Sequence, residues 1–240
     1  MIVNPTIACA DLLNLKRDID ILADEGIGII HIDIMDGHYV PNLCFSFDAV
    51  EQISANYPNI RLDIHIMSDL TVQFCERLVK IRPHCISFHP STVRDPGSLI
   101  RYLHENGIKA GIAIEPDESA EKYSDLYASA DLVLIMCVKP GFSGQSLIPS
   151  AYGTISRVNS LRKSNGFDFL IEVDGGISRE NVSRCAVNGA DIAVAGAMAI
   201  FNQTSDLGTC CAEMKRICDE FYDENVIMQG VTKIDRQNKN

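Results

Sequence analysis

Residues 29–37 read Ile-Ile-His-Ile-Asp-Ile-Met-Asp-Gly, an apolar run broken at alternate positions by His31 and Asp33. Side chains alternate across a strand, so residues 31, 33 and 35 share one face and the isoleucines at 30, 32 and 34 share the other. A strand so apolar on both faces belongs to a covered, parallel sheet. Seven further short runs are built in the same way, which predicts strands at 2–8, 29–35, 61–67, 85–89, 110–114, 132–138, 169–173 and 192–195. Amphipathic stretches between them predict helices near 11–24, 46–56, 70–80, 96–106, 117–128, 150–165, 178–188 and 206–223. Eight strand–helix units in 240 residues average about 30 residues each, the size of a βα repeat with short loops. The fold class expected is α/β, a (β/α)8 TIM barrel forming a single domain over 1–230, with a polar tail over 231–240 that is expected to be mobile. A doubly wound open sheet usually has fewer strands. It also lacks support after the first strand, where Ala8-Cys9-Ala10-Asp11 stands in place of a Gly-rich phosphate turn.

Hydrophobic residues at 46% and charged residues at 22% are ordinary for a soluble enzyme. The net charge of −11 repels nucleic acid and anionic membrane, so neither is expected as a partner. A phosphorylated substrate remains compatible, because backbone N–H groups bind phosphate without a basic surface. The start, MIVNPTIACAD, lacks the pattern of a signal peptide, and no apolar run is long enough to span a bilayer. Nine cysteines without a CxxC pair read as reduced thiols, which makes a cytoplasmic location the expectation.

In a barrel of this kind the active site lies at the C-terminal ends of the strands. Strand two offers His31, Asp33 and Met35 on one face, strand three offers His65 and Met67, and strand seven ends on Asp174-Gly175-Gly176. His31, Asp33, His65 and Asp174 are therefore expected to converge, and two imidazoles with two carboxylates suit one divalent metal ion such as Zn, Mn, Fe or Co. A single inward His or Asp is more often a hydrogen-bonded structural residue. Four at one mouth, among Ile, Val and Met, favour the metal, since two buried carboxylates without a cation carry a heavy desolvation cost. Gly175-Gly176 and Gly196-Ala197 end strands seven and eight, where many barrels bind phosphate. Pro140-Gly141-Phe142-Ser143-Gly144-Gln145 suggests a loop able to close over a ligand.

These residues resemble the ribulose-phosphate 3-epimerases and their relatives acting on hexulose phosphates. The matching segments are HIDIMDGHYVPN (31–42), LDIHIM (62–67), FH (88–89), MCVKPGFSGQ (136–145), EVDGG (172–176) and VAGAMAIF (194–201). The resemblance implies a divalent metal on His31, Asp33, His65 and Asp174, with Asp33 as proton acceptor and Asp174 as proton donor. It implies substrate contacts from Thr6, His65, Gly141, Phe142, Ser143, Gly144, Gly175, Gly176, Gly196 and Ala197. Met35, Met67 and Met136 would line the site and shield a cis-enediolate from water, although ordinary core packing accounts for them equally well. The implied reaction interconverts D-ribulose 5-phosphate and D-xylulose 5-phosphate by two-base proton transfer. The alternative is epimerisation of D-allulose 6-phosphate to D-fructose 6-phosphate, and a more remote one is a non-catalytic sugar-phosphate-binding barrel. Relatives form dimers or larger rings, so a homo-oligomer is expected, with Tyr39, Phe45 and Phe47 either in the contact or folded over the site.

Thr6, Ser91, Glu115, Lys139, Ser143 and Ala197 depart from the family's usual residues. They are expected around the substrate, and none removes a presumed ligand or proton-transfer carboxylate. A Schiff-base aldolase needs a lysine inside a strand, which none of the eight strand runs supplies.

Overall fold

The computed structural model describes residues 1–201 and 203–221. Nine strands and seven helices alternate along it: β1 (Ile2–Pro5), α1 (Leu15–Asp24), β2 (Ile29–Asp36), β3 (Leu43–Cys44), α2 (Phe47–Asn56), β4 (Arg61–Met67), α3 (Thr71–Leu78), β5 (Cys85–Phe88), α4 (Pro96–Glu105), β6 (Lys109–Ile114), β7 (Leu132–Met136), α5 (Ala151–Asn165), β8 (Leu170–Asp174), α6 (Val182–Asn188), β9 (Ile192–Ala195) and α7 (Leu207–Asp219). The strands neighbour one another in the order β1-β9-β8-β7-β6-β5-β4-β2-β3. A parallel bridge between Thr6 and His31 joins β1 to β2 and brings the sheet round on itself. Eight parallel strands thus form the expected (β/α)8 barrel, and the two-residue β3 is an antiparallel addition, pairing Met35 with Cys44 and Asp36 with Leu43.

Register explains the two apolar layers. Outward residues of the strands, such as Ile30, Ile32, Ile64, Ile66, Ile86, Ile112, Val133 and Ile171, pack with the helices in one large core. Inward residues at the strand starts and middles, including Cys85, Ala113, Leu132, Leu134, Leu170 and Ile192, fill the barrel itself. The helices are held by ordinary caps: Asp95 accepts from Ser98 N at 3.0 Å before Pro96 begins α4, and Asp206 accepts from Thr209 N at 3.0 Å before α7. α4 then buries Leu99, Ile100 and Leu103 on a single stripe. Eight of the nine cysteines are buried and Cys44 is partly so; all are free thiols, used here as small apolar groups.

The sequence reading needs correction in three places. The helix expected at 117–128 is a chain of turns closed by i→i+3 bonds such as Lys122 N to Ser119 O and Ser124 N to Glu121 O. The buried Tyr127 hydroxyl donates to Ala120 O, the carbonyl that a helical Ser124 N–H would need. The first strand stops at Pro5 rather than residue 8, because the Thr6 hydroxyl accepts from Ala8 N at 3.3 Å and starts a 3-10 turn over Ile7–Cys9. The last helix ends at Asp219, and the tail expected at 231–240 lies outside the described residues. No helix among those described is long and apolar enough to cross a membrane.

Candidate active site

The parallel register of β2 and β4 sets His31 opposite Asp63, Asp33 opposite His65 and Met35 opposite Met67, three inward layers rising to the mouth. β8 brings Asp174 to the upper level, opposite Met136 of β7. His31, Asp33, His65 and Asp174 each offer a ligand atom, and the four atoms lie within 4.8 Å of one another. His31 Nε2 is 3.5 Å and His65 Nδ1 is 3.3 Å from Asp33 Oδ1. Thr6 donates its hydroxyl to the other Asp33 oxygen at 2.8 Å. His31 Nε2 is buried with no hydrogen-bond partner among the described residues. An orphaned imidazole nitrogen aimed at two carboxylates and a second imidazole is the donor set of a divalent transition metal, so the residues fit such an ion.

Beneath the quartet lies a polar layer that the sequence reading did not single out. Asp63 Oδ2 takes His31 Nδ1 at 2.6 Å and Asn4 Nδ2 at 2.8 Å, and the same Asn4 amide donates to Glu172 Oε1 at 2.8 Å. A carboxylate behind a ligating histidine fixes which ring nitrogen faces the ion. His65 is backed differently: its Nε2 is 2.9 Å from His89 Nε2, and His89 Nδ1 is 3.1 Å from Glu115 Oε1. The Tyr39 hydroxyl donates to that Glu115 oxygen at 2.6 Å. The signal for these residues was present in the alternation already used: 63 shares a face with 65, 172 with 174, 4 with 6, and 89 with 87. Tyr39 is therefore folded onto His89, ring centroids 4.8 Å apart, and Phe47 packs edge-on to Phe74.

The protein's own charges separate the two aspartates. Burial favours a neutral Asp33, but the charge of His31, with the hydrogen bond and charge of His65, outweighs it and holds Asp33 well below the usual carboxylate range. Burial and then the charge of Asp33 push Asp174 up to about 7. Below them burial, then repulsion from Asp63, raises Glu172 well above its ordinary value. Burial disfavours the cation of His31, yet Asp63 and Asp33 outweigh it and raise that group.

Above the quartet opens a cavity of about 730 Å³, counting its mouth. Every backbone or side-chain position anticipated for substrate on the loops lines it: Thr6, Gly141, Phe142, Ser143, Gly144, Gly175, Gly176, Gly196 and Ala197, with Met35, Met67 and Met136 on the walls. His31 and His65 do not line it; they are wholly buried in the floor. Asn42, Cys9, Cys44 and Lys139 also line it, and Lys139 is the one cation among the described lining residues. The loop after β7 is tied down by Gln145, which donates to Lys139 O and Phe142 O, each at 2.8 Å, and by Asn42, which donates to Gly141 O at 2.7 Å. Phe142 stands 55% exposed at its tip. At Gly176 φ is +66° and an added Cβ would sit 2.2 Å from Leu147 N, so only glycine fits where the chain turns beneath the cavity.

Fold and site together define a (β/α)8-barrel enzyme with a candidate metal centre set between two carboxylates. The chain belongs to the ribulose-phosphate 3 epimerase family, whose model matches residues 2–201, and it is an isomerase, an epimerase. It is 36% identical over 197 residues to the ribulose-phosphate 3-epimerase of Chlamydia trachomatis, covering 81% of this chain and 84% of that protein. The enzyme of that name from Escherichia coli K12 is 30% identical over 223 residues, 93% of this chain and 95% of that protein. Among solved structures, a 3-hexulose-6-phosphate synthase from Salmonella typhimurium superposes with a TM-score of 0.67 at 17% identity, over 92% of this chain and all of that one, counted as 100%. A tryptophan synthase α-subunit from Pyrococcus furiosus gives 0.67 at 14% identity over 91% and 97%. At such identities these two likenesses concern the barrel fold alone.

Proposed function

We propose that this chain is a metal-dependent 3-epimerase of ketose phosphates that interconverts D-ribulose 5-phosphate and D-xylulose 5-phosphate. The observation that carries the reading is the convergence of His31, Asp33, His65 and Asp174, with ligand atoms within 4.8 Å of one another, at the mouth of a barrel of this family. Those four residues would hold one divalent ion (Zn, Mn, Fe or Co), which supplies polarisation of the substrate's carbonyl and neighbouring hydroxyl oxygens.

Inverting C3 needs a base on one face of the substrate and an acid on the other. Asp33 takes the C3 proton, and the electron pair of the broken C–H bond moves into the C2–C3 enediolate. Asp174 delivers a proton to C3 from the opposite face, and the roles exchange in the reverse reaction. Thr6 steadies Asp33 by its 2.8 Å hydrogen bond. Met35, Met67 and Met136 keep water from the enediolate. Gly176, Gly196 and Ala197 present backbone to the phosphate, and Lys139 adds a positive charge to a cavity that otherwise carries Asp33 and Asp174. A cytoplasmic, homo-oligomeric enzyme is part of the same reading.

The test is turnover of a panel of ketose phosphates by metal-loaded protein. The expected result is a kcat/KM for D-ribulose 5-phosphate well above that for D-allulose 6-phosphate. The reverse ranking would move the assignment to the hexulose phosphate, and no turnover of either would refute it.

A further inference from the structure

The loops after β8 and β9 share one plan. β8 ends on Asp174 and β9 on Ala195, and in each loop the carbonyl of the second residue past the strand is held from behind by a side-chain amide. Asn181 Nδ2 donates to Gly176 O at 2.8 Å, and Gln203 Nε2 donates to Ala197 O at 2.5 Å. The oxygen end of each amide is occupied as well, which fixes the end that faces the carbonyl. Asn181 Oδ1 accepts from Ser178 N at 2.9 Å. Gln203 Oε1 accepts from the Arg179 guanidinium at 3.3 Å, and Arg179 is itself paired with Glu213 of α7.

A trans peptide is planar, so a carbonyl and the N–H that follows it point in opposite directions. No cis peptide interrupts the described residues. Drawing Gly176 O and Ala197 O back into the loops therefore turns the N–H groups of Ile177 and Met198 forward. Ile177 and Met198 both line the cavity above the quartet, whereas Asn181 and Gln203 do not. The N–H groups beyond them are used inside the loops. Ser178 N goes to Asn181, and Ala199 N, Ile200 N and Phe201 N all go to Gly196 O, at 3.1, 3.1 and 3.2 Å. Ile177 N and Met198 N have no acceptor among the described residues. Two outward-turned backbone N–H groups, one from each loop, are donors suited to an anion. We infer that Asn181 and Gln203 are positioning residues that aim the Ile177 and Met198 N–H groups at the phosphate of the substrate. The inference rests on the reading that the substrate is a ketose phosphate whose phosphate lies against these two loops. The two amides bond to loop atoms and Arg179, not to Asp33 or Asp174, so they govern binding rather than proton transfer.

The experiment joins steady-state kinetics to backbone amide NMR on Zn²⁺-loaded protein, with Asn181→Leu and Gln203→Met as variants. Each substitution nearly keeps the side chain's size, removes the amide donor and adds no charge. KM for D-ribulose 5-phosphate is expected to rise about tenfold in each variant, as a hydrogen bond to a charged group is weakened. The kcat is expected to stay within about threefold of wild type, the pattern of a lost binding contact. Inorganic phosphate is expected to move the Ile177 and Met198 amide protons of wild type downfield. Asn181→Leu should lose the Ile177 response and keep that of Met198, and Gln203→Met should do the reverse, a selectivity that general loosening of the fold does not produce. The inference is overturned if wild type binds inorganic phosphate without moving either amide, a result that needs no variant to fold. It is overturned alone, with the ketose-phosphate reading intact, if wild type is active and both folded variants keep KM within about twofold of it. Wild type that turns over no ketose phosphate and binds no inorganic phosphate would refute that reading and the inference with it.

Discussion

Replacing Asp63 with alanine removes the acceptor that holds both His31 and Asn4. Asp63 is 1% exposed, and its Oδ2 takes His31 Nδ1 at 2.6 Å and Asn4 Nδ2 at 2.8 Å. Truncation leaves two buried donors short of a partner, at about 1–3 kcal/mol each. Relief of the repulsion between Asp63 and Glu172 offsets part of that loss. The net expectation is a destabilisation of about 3 kcal/mol, in line with removing one member of a buried charged pair. The His31 ring also loses its orientation, so affinity for a divalent ion should fall about 10–100-fold, or about 1.4–2.7 kcal/mol. Asp63→Asn keeps an oxygen for the two donors and should lie near the lower end of both ranges. Urea unfolding reads the first quantity and competition between Co²⁺ and a chelator reads the second. A folded Asp63→Ala protein whose Co²⁺ affinity stays within about twofold of wild type would show that Asp63 does not orient a ligand.

Gly176→Ala must accept φ of +66° and a Cβ 2.2 Å from Leu147 N, so the loop shifts. KM for the ketose phosphate should rise at least about tenfold and stability should fall by about 1–2 kcal/mol or more, by steady-state kinetics and urea unfolding. His84, partly buried at the foot of the barrel, is pushed down to about 4 by burial, with Arg61 and Lys109 adding to it. Its folded value lies below the unfolded one of about 6.5, so the unfolded chain binds the extra proton; this stability is complete above pH 6.5 and is lost as pH falls towards 4. Wild type should lose about 1–2 kcal/mol more than His84→Gln between pH 7 and pH 5, and equal slopes in urea titrations at the two pH values would refute the linkage. Adding a divalent ion at about 100 times its dissociation constant should stabilise the protein by about 2.7 kcal/mol, raising Tm by about 5–10 °C in calorimetry, and Asp33→Asn should largely abolish that rise.

Much of this barrel could be read from periodicity, because each parallel strand is covered on both faces and so appears as an unbroken apolar run. The same logic fails at 117–128, where apolar spacing suggests a helix but the Tyr127 hydroxyl occupies the carbonyl a helix would need. That contact is tertiary, and a helical period carries no trace of it. At the site, alternation placed His31, Asp33, His65 and Asp174 on inward faces, and the structure brings all four together. Asp63, Glu172 and Asn4 lie on the same faces one layer lower, yet a polar residue deep in a barrel looks like packing until its partners are known. Glu115 was visible only as a departure from the usual family residue. Its meeting with His89 and Tyr39 joins positions 26 and 76 residues away in the chain, a pairing that spacing alone does not encode.

The central claim is that Asp33 and Asp174 move the C3 proton from opposite faces, and it is tested most directly by exchange in deuterium oxide. The metal-loaded wild-type enzyme should wash deuterium into C3 of the ketose phosphate as it epimerises, read by proton NMR. Asp33→Asn and Asp174→Asn, each verified as folded, should slow that exchange by at least about a hundredfold, the contribution expected of a positioned acid or base. Exchange at C3 that persists near the wild-type rate in both variants would contradict the account.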